Sequence, residues 1–306
     1  MNVPLLDLVA QYRAIKDEVL PAIQAVIESQ QFVMGPAVPR LEAAVARLAG
    51  ATHGIACASG TDALLLPLKA LDLGPGDEVI TTPFTFFATA GTIHNAGGTP
   101  VFVDIEPDTF NIDPAAVEAP ITPRTRAIVP VHLYGQMAAM ERLGAIGRAR
   151  DLPIIEEQYH HDEVGTNSRL DTLQAAVLLA KLPHLGSWSA KRREHAAFYT
   201  RALADLPAVR PPVVDAANEH IFHQYTVRVE RRDELYAHLK SQGIGSAIYY
   251  PVPLHLQPCF SHLGYRPGRL PESERASGEV LSLPVYPELT RGQLDCVIET
   301  IRGFYR

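Results

Sequence analysis

Two segments of the chain carry residue types that could bind a flat, phosphorylated cofactor. The first, Ser59-Gly60-Thr61-Asp62-Ala63, lies where an apolar run changes to a helical pattern. Backbone N–H groups at a helix N-terminus, together with two hydroxyls, would form a cradle for phosphate. The plainer alternative is a helix cap, with Ser59 or Thr61 as the capping residue and Gly60 making the turn.

The second segment, Thr82 to Thr89, follows a strand and contains Phe84, Phe86 and Phe87. An aromatic ring that leaves the carboxyl edge of a parallel sheet can stack on a flat cofactor ring. Three phenylalanines in four residues are, on the other hand, typical of a hydrophobic core.

A third segment, His132-Leu133-Tyr134-Gly135-Gln136, would bring polar groups to the same edge, with a structural histidine as the alternative. Three strand ends that deliver phosphate, stacking and polar groups to one edge predict a cofactor crevice.

Apolar strands alternate with helical patterns over the first two thirds of the chain. We predict strands at Ile55–Ala58, Glu78–Thr81, Val101–Val103, Ala127–Val131 and Pro153–Glu156. This alternation predicts an α/β fold with a mainly parallel sheet covered on both faces. From His223 the pattern changes to a smaller α+β unit. We therefore divide the chain into a large domain, residues 1–206, and a small C-terminal domain, residues 207–306.

The composition argues against several classes of protein. Of the 306 residues, 47% are hydrophobic, and the net charge is −7 with no basic run, which disfavours nucleic acid or an anionic membrane as a partner. The apolar stretches fall short of the roughly 18 residues that span a bilayer, and no signal-peptide pattern opens the chain, so we expect a cytoplasmic protein. The three scattered cysteines predict neither a disulfide framework nor a metal site.

Ten motifs, in order along the chain, resemble those of one family. They are Val3–Leu8, Gln31–Pro36, Ser59–Leu64, Gly74–Val79, Thr82–Phe86, His132–Gln136, Asn167–Asp171, Gln174–Ala176, Tyr249–Pro251 and Leu283–Pro287. Together they resemble the DegT/StrS-type nucleotide-sugar aminotransferases, which depend on pyridoxal phosphate. The resemblance implies the large domain of a PLP-dependent transferase (fold type I) and a smaller C-terminal α+β domain.

The resemblance also implies roles for the residues of the first three segments. Gly60, Thr61 and Asp62 would lie at the phosphate of pyridoxal 5'-phosphate. Phe86 would stack on the pyridine ring, and Gln136 would belong to the same cofactor site.

Further residues would meet the substrate and a second subunit. Because sites in this family form across a homodimer interface, Asn167 would reach the phosphate of the neighbouring subunit's cofactor. Tyr249, Tyr250 and His255 would face the sugar nucleotide. The implied reaction transfers an amino group, usually from glutamate, to a nucleotide-linked keto-sugar in polysaccharide or deoxysugar biosynthesis.

The chain departs from this pattern at one junction. In the family, an aspartate that pairs with the ring nitrogen follows the strand ending Ile-Ile-Glu, and a Schiff-base lysine comes later. Here Glu157 either stands at the aspartate's position or belongs to the next motif, in which case the pairing acid is absent. The lysines are Lys16, Lys69, Lys181, Lys191 and Lys240, and none has the family's Ser-then-Lys context. Judged by usual two-domain lengths, roughly sixty residues are missing at the junction.

Three hypotheses follow. The first is a pyridoxal-phosphate-dependent aminotransferase. The second is a catalytically inactive homologue that binds the cofactor, a sugar nucleotide or a sister subunit without turnover. The third is a dehydratase in which a histidine replaces the lysine, which the loss of the whole surrounding segment disfavours.

Overall fold

The structure is a computed structural model that describes residues 1–155 and 168–306. In chain order the helices are α1 Leu8–Ser29, α2 Ala37–Ala49, α3 Gly60–Ala70, α4 Ala88–Asn95, α5 Pro114–Val117, α6 Met140–Arg150, α7 Thr172–Lys181, α8 Leu185–Leu203, α9 Arg232–Ser241, α10 Pro271–Glu279 and α11 Arg291–Tyr305. The strands are β1 Glu78–Thr81, β2 Thr99–Phe102, β3 Thr125–Val129, β4 Val209–Arg210, β5 Tyr225–Val229 and β6 Val280–Leu283.

The first sheet is parallel, with strand order β2-β1-β3. Side chains alternate between its two faces, as the two-residue period of a strand requires. Val79 packs with residues of α3 and α4 on one face, whereas Ile80 packs with residues of α6 on the other. Helices therefore cover both faces, which confirms the predicted α/β class.

Beyond β3 the sheet continues by a single bridge. Ile154 pairs in parallel with Ile128, and the N–H of Ile155 donates to the carbonyl of Ile128 over 2.9 Å. The predicted strand over residues 153–156 is thus represented by one bridge within the described part of the chain, and Glu156 lies outside it.

The strand predicted at Ile55–Ala58 is wrong. Within residues 1–155 and 168–306 no strand pairs with it, and two side chains accept hydrogen bonds from its backbone. The Ala56 N–H donates to Oε1 of Glu42 over 2.8 Å, and the Ala58 N–H donates to Oγ of Ser168 over 3.1 Å. The segment enters α3 as an extended connection.

The N-terminal helices pack on α7, with Val26, Val38, Leu41, Ala175 and Ala176 among the buried contacts. α1 runs unbroken through Pro21, although a proline inside a helix usually kinks or ends it. The missing N–H of a proline costs a helix one backbone hydrogen bond, which the tertiary packing of α1 outweighs here.

The second sheet is antiparallel, with strand order β4-β5-β6. All five residues of β5 are buried, and the helices α8, α9 and α11 contribute to its core. Leu203 of α8 lies in this same core, as does Val3 from the start of the chain. This observed unit has the α+β character expected of the C-terminal part.

Candidate functional site

A crevice of about 780 Å³ opens at the carboxyl ends of β1 and β3. Its lining residues are Gly60, Thr61, Leu64, Thr85, Phe86, Ala88, Thr89, Val131, His132, Leu133, Tyr134, Gly135, Met137, Glu219, Ile221, His223, Gln224 and Tyr250. They include residues from all three segments singled out in the sequence, together with residues from 219–224 and Tyr250. The topology thus brings the predicted phosphate, stacking and polar groups to one place.

The phosphate turn, residues 59–62, forms one side of the crevice. Ser59 caps α3, because its side chain accepts from the Asp62 N–H over 3.1 Å. The N–H groups of Gly60 and Thr61 belong to the first turn and have no intrahelical acceptor. A Cβ on Gly60 would meet no described atom within 4 Å. The helix cap and the phosphate cradle therefore coexist, with Ser59 in one role and Gly60 and Thr61 available for the other.

The three phenylalanines lie in three different environments, and Phe87 is half-exposed. Phe84 is fully buried and contacts Phe110 with ring centroids 6.1 Å apart. Phe87 packs on Phe260 at 5.8 Å. Phe86 lines the crevice and leaves 61% of its surface exposed, so its ring is available to a planar ligand.

The wall turn, residues 132–138, forms the opposite side. His132 is partly structural, because its Nδ1 accepts from the Ala138 N–H over 3.1 Å. In the neutral ring the proton therefore lies on Nε2. The side-chain amide of Asn111, which no sequence motif indicated, forms hydrogen bonds with the backbone of the same turn.

The facing loop, residues 219–224, is joined to the wall turn by two backbone hydrogen bonds. The Ile221 N–H donates to the carbonyl of Gly135 over 3.1 Å, and the Gln224 N–H to that of Tyr134 over 3.3 Å. Gly135 has φ +95°, and a Cβ there would stand 2.8 Å from Cγ1 of Ile221. Glycine is required at this position because of both its backbone conformation and this close approach.

Three aromatic residues around the wall have left-handed backbone conformations: Phe110 (φ 61°), Tyr134 (φ 58°) and Phe222 (φ 48°). Such conformations are uncommon for bulky side chains and cluster at functional sites. The Tyr134 ring packs edge-on against Phe110, and its hydroxyl donates to the carbonyl of Tyr249. Arg228, from the antiparallel sheet, lies 4.6 Å over the Phe110 ring.

Burial shifts the titration of several groups in this region. It raises the pKa of Tyr250 to about 12, with a smaller contribution from Tyr249. Burial, followed by the charge of Arg192, lowers the pKa of His223. Burial also lowers the pKa of His220 to about 4. At neutral pH these shifts favour uncharged Tyr250, His220 and His223. Glu219, which also lines the crevice, forms an ion pair with Arg193 over 2.5 Å.

Four of the predicted site residues lie outside the crevice lining. Asp62 stays at the cap, where it accepts from the Ser59 hydroxyl over 3.2 Å. Gln136 is buried. Its Nε2 donates to the carbonyl of Val213, and its Oε1 accepts from the Asp215 N–H. The two remaining residues, Tyr249 and His255, belong to the set expected at the sugar nucleotide.

The substrate set is divided by the structure. Tyr250 lines the crevice, whereas Tyr249 supplies the carbonyl that Tyr134 contacts. His255 is buried, with Nε2 3.1 Å from the Glu274 carboxylate and its ring packed against Tyr265. Glu157 and Asn167 lie outside the described residues.

All five lysines lie among the described residues, and none lines the crevice. Lys16 is exposed on α1, and Lys69 lies in the last turn of α3. Lys191 forms an exposed ion pair with Glu194 over 2.8 Å. Lys181 and Lys240 lie in the last turns of α7 and α9. Elsewhere in the described ranges, no group of three or more metal-ligating side chains converges, and no helix is long and apolar enough to span a membrane.

The chain belongs to the DegT/DnrJ/EryC1/StrS aminotransferase family, which it matches over residues 13–158 and again over 156–302. It is 46% identical to the "Pleiotropic regulatory protein" of Geobacillus stearothermophilus over 371 residues, covering 100% of this chain and 99% of the relative. It is 37% identical to a "UDP-N-acetyl-3-dehydro-alpha-D-glucosamine 3-aminotranferase" of Acidithiobacillus ferrooxidans, covering 98% of this chain and 97% of that one.

Solved structures agree with this assignment. The crystal structure of S. venezuelae DesV in complex with a ketimine intermediate superposes with a TM-score of 0.96 at 36% identity, covering 100% of this chain and 99% of DesV. The structure of ntda from Bacillus subtilis with bound cofactor PMP superposes with a TM-score of 0.90 at 28% identity, covering 99% and 85%. Pyridoxal phosphate is thus the cofactor of this family.

The described residues are suited to bind the phosphate and the pyridine ring of this cofactor. The open backbone at Gly60 and Thr61 suits a phosphate, and the exposed ring of Phe86 suits a pyridine. Within residues 1–155 and 168–306, the crevice lining provides no lysine amine for covalent attachment. The site therefore has groups suited to the phosphate and the ring, but its described part has no lysine that could form a covalent bond to the cofactor.

Proposed function

We propose that this crevice is the site of a nucleotide-sugar aminotransferase, in which the chain binds pyridoxal phosphate and a nucleotide-linked keto-sugar. In a form of the protein that carries the Schiff-base lysine, the amino donor would be glutamate, and the pathway polysaccharide or deoxysugar biosynthesis in the cytoplasm. The observation that carries this proposal is the convergence of Gly60, Thr61 and Phe86 at the carboxyl edge of a parallel sheet. The full-length likeness to sugar aminotransferases supports it.

Each part of the crevice would have a distinct task. Gly60 and Thr61 would hold the phosphate through backbone N–H groups. Phe86 would cover one face of the ring, and Tyr250 would border the sugar. The bound cofactor would supply the electron sink that amino transfer needs.

We further propose that this chain of 306 residues binds without turnover. A primary amine must attach the cofactor and move a proton during transfer. The positions of the five lysines on exposed or terminal helical turns support the proposal. The histidines of the crevice cannot replace that amine, since an imidazole does not form the same covalent bond.

A missing segment at the junction would explain this loss. The alignment with the Geobacillus relative extends over 371 residues, whereas the chain has 306. The two family matches also meet at residues 156–158. Sequencing the coding region across Glu156 to Tyr159 tests the idea: an uninterrupted reading of these codons supports it, and an intervening segment with a lysine contradicts it.

We propose a homodimer as the assembly. Exposed apolar side chains on α1 and the following loop, such as Leu8, Val9, Val33 and Met34, give a surface suited to a second copy. Asn167 would reach the partner's cofactor phosphate. Light scattering of the purified chain should give twice the 33.4 kDa of one subunit, and a monomer at micromolar concentration would contradict the assembly.

Borohydride reduction tests covalent attachment of the cofactor, on which turnover depends. The chain is incubated with pyridoxal phosphate, reduced, and its intact mass measured, with peptide mapping of any adduct. We expect saturable binding with the protein mass unchanged after denaturation. A stoichiometric adduct on one lysine would instead establish covalent attachment and favour the active enzyme. Absence of saturable binding would remove the proposed site altogether.

A further inference from the structure

Asn111 lies at the end of a preformed loop that leaves β2. The Asn111 carbonyl accepts from the Glu106 N–H over 2.9 Å, and the Phe110 N–H donates to the Glu106 carbonyl over 3.1 Å. The left-handed conformation of Phe110 then turns the chain inward. As a result the Asn111 side chain enters the protein with only 1% of the residue exposed.

The amide of Asn111 uses its donors and its acceptor on one turn. Its Oδ1 accepts from the Leu133 N–H over 2.9 Å, and its Nδ2 donates to the carbonyls of Gln136 over 3.2 Å and Met137 over 3.0 Å. The orientation of the amide follows from these partners, because the reverse would set donor against donor. A buried carboxylate or apolar group could not satisfy all three.

The turn that Asn111 holds is the wall turn of the crevice. His132, Leu133, Tyr134, Gly135 and Met137 all line the ligand space. The turn includes the left-handed Tyr134, a conformation that must be enforced by surrounding contacts. The three bonds of Asn111 bracket it on both sides along the chain.

We propose that Asn111 is a positioning residue of the site, which fixes the wall turn so that the bound pyridoxal phosphate adopts one orientation. This inference rests on the proposed function. Asn111 itself does not line the crevice, and it acts through the backbone of residues 133–137.

The test compares Asn111→Asp and Asn111→Ala with the control Thr125→Val. Asp keeps the shape and the acceptor but loses both donors, and Ala loses all three bonds. Thr125 is also buried, and its hydroxyl oxygen accepts from the Thr122 N–H over 2.9 Å at the opposite end of β3. Each protein is titrated with pyridoxal phosphate, and the circular dichroism of the bound cofactor is recorded at saturation.

We expect both Asn111 variants to bind pyridoxal phosphate about tenfold or more weakly, since each leaves buried groups unpaired. The induced circular dichroism of the cofactor should also change shape at saturation, which a general loss of stability would not cause. Thr125→Val should retain the affinity and the spectrum. An Asn111 variant with affinity within twofold of the parent and an unchanged spectrum would overturn the inference.

Hydrogen exchange provides a second measurement without cofactor. In the parent chain the Leu133 amide should be among the slowest to exchange in residues 130–140, and the Asn111 variants should accelerate it. Fast exchange of Leu133 in the parent overturns the inference even if neither variant folds. If the parent binds no pyridoxal phosphate, the proposed function fails, whereas the exchange rate at Leu133 still shows separately whether Asn111 fixes the wall turn.

Discussion

The two sides of the crevice are built in different ways. The phosphate turn is exposed and presents backbone N–H groups, with Ser59 as its own local cap. The wall turn is buried at Leu133, Tyr134 and Gln136, and it is held by contacts from distant parts of the chain, including Asn111 and the facing loop. Anion binding can thus be encoded locally, whereas the shape of the ligand space depends on long-range packing.

Of the substitutions considered, Gly135→Ala in the wall turn should lower the free energy of unfolding the most. Gly135→Ala places a Cβ 2.9 Å from the backbone nitrogen of His223 and forces a left-handed conformation on alanine. We expect a loss of about 2–4 kcal/mol in the free energy of unfolding. Urea denaturation measures it, and Gly186→Ala is the matched control because a Cβ there meets no described atom within 4 Å. Equal stabilities for the two variants would contradict the tight contact.

Acidification should loosen the facing loop next. His220 is buried, stacks on Phe222 at 4.0 Å, and accepts from the Phe222 N–H through Nδ1. Because its folded pKa is about 4, below the unfolded value of about 6.5, the stabilisation is complete above pH 6.5 and is lost as pH falls towards 4. Keeping His220 uncharged in the folded state contributes on the order of 2 kcal/mol to the free energy of unfolding at neutral pH.

Thermal unfolding from pH 7 to pH 4 measures this dependence. His220→Asn is the comparison, since an asparagine can also accept from the N–H two residues on but does not titrate. The variant should lose less stability than the parent over this range. Parallel curves would show that His220 does not contribute to the acid dependence.

The cap on the phosphate side should contribute less. Ser59→Ala removes the acceptor for the Asp62 N–H and should lower the free energy of unfolding by about 1 kcal/mol. Ser59→Asp retains a capping acceptor and serves as the control in the same denaturation experiment. A loss from Ser59→Ala as large as that from Gly135→Ala would contradict the contrast between the two sides.

Gly60→Ala, in the exposed phosphate turn, should have the smallest effect on the free energy of unfolding. No described atom lies within 4 Å of the added Cβ, so the free energy of unfolding should change by less than about 1 kcal/mol. Pyridoxal phosphate should nevertheless bind more weakly, because the methyl group obstructs a close approach to the backbone. Unchanged affinity in a titration would remove Gly60 from the phosphate site.

The sequence was sufficient to predict the parallel sheet, because β1 and β3 are short apolar runs bounded by helical patterns. It also predicted the convergence of Gly60, Phe86 and His132, since parallel strands end at one edge. The prediction failed at Ile55–Ala58, where, in the part of the chain that the structure describes, the side chains of Glu42 and Ser168 accept from the backbone and no strand pairs with it.

The remaining site residues depended on contacts that no local pattern contains. Asn111 follows an aromatic residue in a loop, and only the tertiary fold brings its amide to residue 133. His255 resembles a substrate-facing residue in its proline-rich loop, but the structure pairs it with Glu274. The choice between these environments depends on side chains far apart in sequence.

The most direct test of a cofactor site without covalent attachment is equilibrium dialysis with three ligands. Pyridoxal phosphate has both the aldehyde and the phosphate, pyridoxamine phosphate lacks the aldehyde, and pyridoxal lacks the phosphate. We predict that pyridoxal phosphate and pyridoxamine phosphate bind with dissociation constants within about threefold of each other, whereas pyridoxal binds far more weakly. Retention of pyridoxal phosphate through dialysis that removes pyridoxamine phosphate would contradict it.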